Sequence, residues 1–378
     1  MKILHVTPHL PPDQAANALL PFHLGEWARE RGDEAHFLAH PPAAGERPQP
    51  DVTWMPRTKR TFAQRVFRTG SLGGSVRIRR TLDTLLRDVD IVHVHSNGLL
   101  PEVSALAAKK AGKPVVLTLY GTEIWHYRPR FAVDLFTKAY RRADAVTFYS
   151  QGLLQHAEEL GLGRPGCFTI YPPVAPSFRF HDERAMHDAR AALNVVVDNL
   201  LVNVKRLHPL AGQRYLLQAL PTVLRQHPRT HLVICGTGAL LPELKALARS
   251  LGVDSHVTFA GLVDNAVVAR YCAAADLFML PSVLEALPTV AVEALASGTP
   301  VISSDNPGGV ELNGVFGDDV KVVPREHPGA LAHAIVAALA EKRRTRADTQ
   351  TAIEARFRAG AIAGQYWEIY RGVTRGTR

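Results

Sequence analysis

Short, continuously apolar runs alternate with longer amphipathic segments along the whole chain. Runs such as Leu277–Leu280 contain no polar residue, which is typical of a strand covered on both faces in a parallel sheet. The longer segments repeat apolar residues at helical spacing, as Leu20, Leu24 and Ala28 do. This alternation predicts an α/β protein built from strand–helix–strand units.

Length and a change of composition indicate two domains. The 378 residues are too many for one ordinary α/β domain and suit two domains of about 180 residues each. Residues 176–193 are polar and charged, and an apolar strand restarts at Asn199–Val204. We therefore predict a first domain over residues 1–178, a linker over 179–198, a second domain over 199–355 and a C-terminal helical segment over 356–378. The final helix is predicted to run unbroken over Ala352–Tyr370.

Composition excludes several classes of protein. Hydrophobic residues make up 46% of the chain and charged residues 21%, as in soluble globular proteins, and no window approaches 18 consecutive apolar residues. The N-terminus reads as a buried strand and not as a signal peptide, so we expect a cytoplasmic protein. The three widely spaced cysteines suggest neither a disulfide framework nor a zinc site.

Positive charge is concentrated in the first half of the chain. The formal net charge is +9, and residues 57–80 hold eight basic side chains and no acidic one. These are Arg57, Lys59, Arg60, Arg65, Arg68, Arg77, Arg79 and Arg80, with Phe62, Val66 and Phe67 interleaved. Such a segment suits the inner face of an anionic membrane or an anionic acceptor, and a solvated basic loop is the alternative. Nucleic acid is not expected as a partner, because no nucleic-acid-binding motif accompanies the charge.

Two carboxylates flank the start of a predicted helix near residue 289. Glu285 lies in the preceding loop, and Glu293 lies about one turn inside the helix, where side chains lean back toward the amino end. The first helical amides, of Thr289 and Val290, have no partner within the helix and attract phosphate. Carboxylates beside a phosphate site accept hydrogen bonds from sugar hydroxyls. The segment therefore predicts a pocket for a sugar nucleotide.

The same stretch carries a family resemblance. Pro-Ser-x-x-Glu, seven residues, then Glu-Ala-x-Ala-x-Gly-x-Pro-Val, which runs from Pro281 to Val301, resembles the signature of the retaining family-4 glycosyltransferases of the GT-B fold. The resemblance implies two Rossmann-like domains that face each other across a cleft, with a C-terminal helix that crosses back to the first domain. It also implies that Glu285 contacts the donor sugar, that Glu293 holds the ribose hydroxyls, and that Pro288 lines the donor site.

A second family pattern, Gly-Arg-Leu, three residues, Lys-Gly, is only partly present. Arg206 matches the arginine that the family uses to neutralise the donor diphosphate, whereas Ala211 stands in place of the lysine. Lys205, Arg214 or a basic acceptor is left to supply the second cation. We favour Lys205, which ends the strand, although alternate strand residues point to opposite faces and Lys205 needs a local twist.

The resemblance places two more segments in the donor site. Gly236 opens a Gly-Thr-Gly turn at the position of the family's phosphate-side turn in the second domain. Leu262 and Val263 fall where the family's backbone meets the nucleobase. Backbone recognition leaves no side-chain code for the base.

The first domain departs from the family twice. The chain reads Pro-Pro-Asp-Gln-Ala-Ala-Asn over residues 11–17 where the family has a Gly-Gly turn, and Tyr120 replaces the family histidine near the donor sugar. His9, Tyr120, Glu123 and His126 are acceptor candidates. The structural alternatives are a loop histidine at position 9 and, for Glu123 and His126, residues that cap and pack the next helix.

Together these observations predict a retaining glycosyltransferase that moves a sugar from a UDP-sugar to a hydroxyl of a glycan, lipid-linked or small acceptor. Arg206, Glu285 and Tyr120 are the expected catalytic residues. Neither a cofactor nor a metal ion is expected, because Arg206 and helix amides carry the diphosphate charge. The rival functions are a nucleotide-sugar-binding protein that does not turn over and a GT-B sugar-nucleotide epimerase.

Overall fold

A computed structural model describes residues 1–13, 15–42, 51–57, 71–129 and 134–376. The chain divides into two compact units: unit 1 comprises Met1–Pro172 with Gly360–Arg378, and unit 2 comprises Pro173–Ala359. No helix of the described residues is long and apolar enough to cross a membrane.

Unit 1 is a seven-stranded parallel sheet with helices packed against it. Its strands are β1 (Lys2–Thr7), β2 (Glu34–Ala39), β3 (Val52–Trp54), β4 (Ile91–His95), β5 (Val115–Leu119), β6 (Ala145–Phe148) and β7 (Cys167–Thr169), in the spatial order β3-β2-β1-β4-β5-β6-β7. Its helices begin with α1 (Ala16–Glu30), α2 (Leu72–Leu85), α3 (Leu99–Lys110), α4 (Thr122–Trp125), α5 (Leu135–Arg142) and α6 (Gln151–Glu159).

Unit 2 is a six-stranded parallel sheet. Its strands are β8 (Asn199–Val204), β9 (Thr230–Cys235), β10 (Val257–Gly261), β11 (Leu277–Leu280), β12 (Val301–Ser304) and β13 (Val320–Val323), in the order β10-β9-β8-β11-β12-β13. Its helices are α7 (Glu183–Ala192), α8 (Gln213–Gln226), α9 (Leu241–Ser250), α10 (Asn265–Ala274), α11 (Thr289–Ala296), α12 (Pro307–Phe316), α13 (Pro328–Glu341) and α14 (Ala347–Arg356). The predicted α/β class with two Rossmann-like domains is confirmed.

The chain end belongs to unit 1. Helix α15 (Ala359–Arg375) buries Ile362, Tyr366 and Tyr370 in the core that also contains Ile3 and Phe37 of the sheet. The prediction of one helix over Ala352–Tyr370 is wrong, because α14 ends at Arg356 and a short break precedes α15. The break is held by the backbone of Phe357, whose carbonyl accepts a hydrogen bond from the Val174 amide.

Residues 179–198, the predicted linker, lie within unit 2. Helix α7 sits there, and its buried Arg190 donates to the carbonyl of Ala274 and forms an ion pair with Asp276. The basic run Lys342–Arg346 predicts a mobile segment from its sequence, but the structure anchors it through Arg344. The Arg344 guanidinium donates to the carbonyls of Ala273, Ala275 and Ser297 among others, and so joins the carboxyl ends of α10 and α11.

Candidate functional site

The donor residues predicted from sequence gather where the strand order of unit 2 reverses. The chain builds β8, β9 and β10 outward in one direction and then returns to place β11 beside β8. In open parallel sheets, ligands bind outside the carboxyl ends of the strands at such a switch point. Lys205 follows β8 directly, and the loop 281–288 follows β11.

A buried polar network shapes that loop. The side chains of Ser304 and Asn306 both donate to the carbonyl of Ser282, and the Val283 amide donates to the carbonyl of Leu210. Gly308 fits against the loop, because a Cβ there would lie 2.8 Å from the Pro288 Cδ atom. The loop that carries Glu285 is therefore held from two neighbouring strand ends.

Glu285 forms an ion pair with Lys205 across the switch point. The side chains of Lys205 and Glu285 keep 28% and 13% of their exposure. The Lys205 ammonium thus reaches the pocket side of the strand end, although simple strand alternation points it the other way. The Glu285 carboxylate thus lies beside Lys205, one candidate for the second cation, in a partly buried part of the site.

Glu293 is a largely buried carboxyl without a partner. It lies in the second turn of α11, and no described residue forms a hydrogen bond or an ion pair with its carboxylate. Burial raises the pKa of the Glu293 carboxyl to about 7. Pro288 precedes the helix and no side chain caps it, so the amides of Thr289 and Val290 are available. A carboxylate suits a hydroxyl donor and free helix amides suit a phosphate.

Arg206 extends into solvent. Its guanidinium has no acceptor among the described residues, and its carbonyl accepts a hydrogen bond from the Gln213 side chain. Ala211 is buried on a short 3-10 turn, Pro209–Ala211, and is 3% exposed. Arg214 is exposed at the start of α8, and its guanidinium carbon lies 5.9 Å from the centre of the Tyr215 ring. The N–H donors of the Arg206 guanidinium are therefore available to a ligand.

The glycine turn after β9 packs against the same strand end. Gly236 has a φ of 138°, and a Cβ there would lie 2.1 Å from the Lys205 carbonyl oxygen, so only glycine fits. The Gly236 amide donates to the carbonyl of Gly261 at 2.7 Å, which joins this turn to the segment of Leu262 and Val263. Leu262 is 83% exposed. The structure thus brings the turn, Lys205 and the predicted base segment together.

In unit 1, Tyr120 is anchored by a chain of imidazoles. Its hydroxyl bonds to Nδ1 of His95 at 2.8 Å, and Nε2 of His95 bonds to Nδ1 of His5 at 3.1 Å. Burial raises the pKa of the Tyr120 hydroxyl well above its usual value, and burial lowers the pKa values of His5 and His95. All members of the chain are therefore neutral near pH 7. His95 was not singled out in the sequence, since a histidine inside an apolar strand gives no signal of its contact.

His5, His93 and His95 also form the one cluster in the described part of the chain that has metal-ligand geometry, with ring nitrogens within 4.8 Å of one another. The Tyr370 hydroxyl and the Thr118 hydroxyl bond to the two nitrogens of His93. Only Nε2 of His5 lacks a partner among the six ring nitrogens. A metal ion would have to displace these bonds.

The acceptor candidates differ in their surroundings. The Glu123 carboxylate is 3% exposed and accepts hydrogen bonds from the Ser96 hydroxyl and the amides of Tyr120 and Gly121, so the capping alternative describes it. His126 is exposed at the end of α4. His9 is partly exposed and its Nδ1 lies 2.9 Å from the Asp13 carboxylate.

Only part of the basic stretch is described. Lys59, Arg60, Arg65 and Arg68, with Phe62, Val66 and Phe67, lie outside the described residues, as does Gln14 of the turn 11–17. Within the described residues, Leu72 and Val76 of α2 are 85% and 49% exposed. They accompany the exposed Arg77, Arg79 and Arg80 on the same helix.

Comparisons with known proteins agree with this geometry. Residues 188–356 match the model of the glycosyl transferases group 1, and residues 22–178 match that of Glycosyltransferase Family 4. A Bacillus subtilis glycosyltransferase named for teichuronic acid biosynthesis is 31% identical over 76% of this chain and 71% of its own length. The chain belongs to the family-4 group 1 glycosyltransferases.

Other relatives and solved structures support this family-4 assignment and its fold. A GDP-mannose-dependent α-(1-6)-phosphatidylinositol monomannoside mannosyltransferase of Mycolicibacterium smegmatis is 28% identical over 77% of this chain and 75% of its own length. A glycosyltransferase from Rickettsia africae superposes with a TM-score of 0.77 at 16% identity, covering 98% of both chains. The Anabaena protein HepE, solved with UDP, superposes with a TM-score of 0.74 at 20% identity over 98% of this chain and all of its own. The GT-B fold and glycosyl transfer follow for this family-4 member.

Proposed function

We propose that this family-4 enzyme transfers a sugar from a UDP-sugar to a hydroxyl of a glycan, lipid-linked or small acceptor, with retention of anomeric configuration and without a metal ion. The observation that carries the proposal is the convergence at one switch point of Arg206, Lys205, Glu285, Glu293 and the uncapped amino end of α11. Each of these groups matches a part of a nucleoside-diphosphate sugar.

The diphosphate is assigned to the cations and the helix amides. Arg206 has unfilled donors, and a guanidinium binds two phosphate oxygens at once. Lys205 supplies the second cation while it remains beside Glu285, because an ammonium has three donors and its pair with Glu285 uses one. A phosphate charge without a cationic partner in a partly closed site would destabilise the bound donor by several kcal/mol. The pairing of that charge with one cation offsets a cost of this order. These two cations make a metal ion unnecessary for charge neutralisation.

The two glutamates are assigned different parts of the donor. The Glu293 carboxylate has no partner of its own, so the ribose diol would satisfy both oxygens and stabilise its ionised form. Glu285 is oriented by Lys205 and would accept from hydroxyls of the transferred sugar. In a retaining reaction that passes through an oxocarbenium-like state, the leaving phosphate takes the acceptor proton, and Tyr120 would place the sugar by one hydrogen bond.

The base of the donor is the least constrained part of the proposal. The exposed backbone near Leu262 would meet the base without a side-chain code. The Mycolicibacterium relative is named for GDP-mannose and the Anabaena structure contains UDP. We assign UDP, and a comparison of thermal shifts with UDP and GDP tests that choice.

The division of labour between the glutamates is the test of the proposal. Glu293→Gln should weaken the binding of free UDP and of the UDP-sugar about equally, whereas Glu285→Gln should spare free UDP and slow only sugar-dependent steps. Isothermal titration with UDP and release of UDP from the sugar nucleotide measure the two quantities. Equal losses of UDP affinity in both variants would refute the assignment.

Peripheral contact with an anionic membrane is proposed for the basic stretch 57–80. Its support is the exposed Leu72 and Val76 beside three arginines on α2, and the lipid acceptor in the name of the Mycolicibacterium relative. Cosedimentation with anionic vesicles should fall in the double variant Leu72→Ser and Val76→Ser. Unchanged cosedimentation would contradict this contact.

A further inference from the structure

Unit 1 contains a cavity of about 270 Å³ at the carboxyl edge of its sheet. The cavity lies at the switch point of this sheet, where the chain leaves β1 toward β2 and later returns to place β4 on the other side of β1. It is lined by Pro8, His9, His40, Met55, Pro56, Arg57, Ser71, Ile78, Leu99 and Leu100. Residues that follow β1, β2 and β3 thus meet the amino ends of two helices.

The polar side of this cavity is basic. Arg57 has no carboxylate partner among the described residues, and its Nη2 lies 3.3 Å from Nδ1 of His9. That nitrogen also lies 2.9 Å from the Asp13 carboxylate, and it can bond to only one of the two. His40 donates from Nδ1 to the Met55 carbonyl at 2.7 Å, and burial lowers the pKa of its ring, so the neutral Nε2 is an acceptor and Arg57 carries the positive charge of this side. The one acid bonded to this group is Asp13, and its carboxylate is used by His9 and by the Ala15 amide.

Two helices begin at the cavity wall. Ser71 precedes α2, and its hydroxyl oxygen accepts from the Gly74 amide. Helix α3 begins at Leu99 without a side-chain cap, and the Glu102 carboxylate accepts from the amide of Gly98, one residue earlier, whereas no described residue accepts from the amides of Leu99 and Leu100. The amides of Leu99 and Leu100 therefore keep their donors at the cavity. Positive helix ends and an unpaired guanidinium together favour an anion.

We propose that this cavity binds a phosphate group of the acceptor, with Arg57 as its principal ligand. The inference rests on the proposed function, because it names the chemical class of the acceptor: an alcohol that carries a phosphate ester. Met55, Ile78 and Leu100 are buried and give the rest of the acceptor an apolar wall. A soluble sugar phosphate and a lipid headgroup share this chemistry.

The four tryptophans of the chain, Trp27, Trp54, Trp125 and Trp367, all lie in unit 1, and Trp54 ends the strand that leads to Arg57. Intrinsic fluorescence of the full chain therefore reports on this unit. At constant ionic strength, glycerol 3-phosphate should produce a saturable change that glycerol does not produce. Arg57→Gln should weaken that affinity about tenfold or more, as expected for loss of a charged hydrogen bond. The matched control Arg142→Gln removes an exposed arginine at the end of α5 that does not line the cavity, and it should change the affinity less than about threefold.

Vesicles with and without anionic phospholipid separate the two sources. Arg57-dependent saturation by glycerol 3-phosphate indicates a soluble acceptor, and Arg57-dependent binding of anionic vesicles alone indicates a lipid headgroup. Equal weakening by Arg57→Gln and Arg142→Gln, or no saturation by either probe, would overturn the site. Titration with UDP keeps this result distinct from the donor site: Arg57→Gln should retain wild-type UDP affinity even if the phosphate site fails.

Discussion

Replacing Glu293 with glutamine should stabilise unit 2 above neutral pH. The carboxyl is largely buried and unpaired, so its ionised form is disfavoured in the folded chain. Its pKa rises from 4.5 to about 7 because burial removes water from the charge. A glutamine of the same shape never ionises and avoids this cost.

The magnitude and its pH window follow from the pKa. The difference between about 7 and 4.5 is about 2.5 pH units, and about 1.4 kcal/mol per unit gives about 3.5 kcal/mol. Because the side chain keeps some contact with water, we expect about 2 kcal/mol. A group whose folded pKa is raised contributes stability at low pH that is lost as pH rises through the folded value. The advantage of Glu293→Gln should therefore be near zero at pH 4.5, grow up to pH 7 and stay level above it.

Urea unfolding followed by far-UV circular dichroism at pH 5 and pH 8 measures this difference. Unit 2 contains no tryptophan, so fluorescence follows unit 1 in the same samples and should not change. The control Glu243→Gln removes an exposed carboxylate from the first turn of α9 and should cost less than about 1 kcal/mol. A destabilised Glu293→Gln at pH 8, or a gain that does not depend on pH, would refute the reasoning.

Two further predictions concern Lys205 and Arg344 of unit 2, and a third concerns the reaction itself. Lys205→Met should slow UDP-sugar turnover about tenfold or more, and Lys205→Arg should restore most of it; equal rates in wild type and Lys205→Met would exclude Lys205 as the second cation. Arg344→Met should lower the unfolding free energy by about 3 kcal/mol, because it leaves helix-end carbonyls unpaired. The control Arg225→Met removes an exposed side chain that bonds to Thr222, and it should change the unfolding free energy by less than about 0.5 kcal/mol in the same urea titration. Nuclear magnetic resonance of the product should show that the transferred sugar keeps the anomeric configuration that it has in the donor, and an inverted product would contradict retention. EDTA should leave the rate of transfer unchanged, and a rate that falls with EDTA would contradict metal independence.

The strands could be predicted because a strand buried on both faces of a parallel sheet has a short, mostly apolar sequence. Leu277–Leu280 is apolar throughout and Asn199–Val204 is mostly apolar, and the observed strands β11 and β8 have those bounds. The family signature from Pro281 to Val301 likewise identified the donor loop. Its two glutamates were found because their spacing around a helix start is readable in one dimension.

Long-range contacts were not predictable. The Lys205 side chain meets Glu285, which lies 80 residues later, through the pairing of β8 with β11, and local strand alternation gives the opposite orientation. Arg344 sits in a basic run that resembles a solvated loop, yet its acceptors are carbonyls at the ends of two helices. The cavity beside Arg57 is formed by residues that follow three strands and by residues of two helices, so it exists only after the chain has folded.

The central claim is that the switch point of unit 2 binds the donor diphosphate through Arg206. Isothermal titration of UDP into wild type, Arg206→Gln and Arg214→Gln tests it most directly, because both arginines are exposed and lack acidic partners among the described residues. The account predicts a loss of about 10- to 100-fold in UDP affinity for Arg206→Gln, equivalent to about 1.5 to 3 kcal/mol, and a loss under about threefold for Arg214→Gln. Wild-type affinity in Arg206→Gln, or an equal loss in both variants, would contradict it.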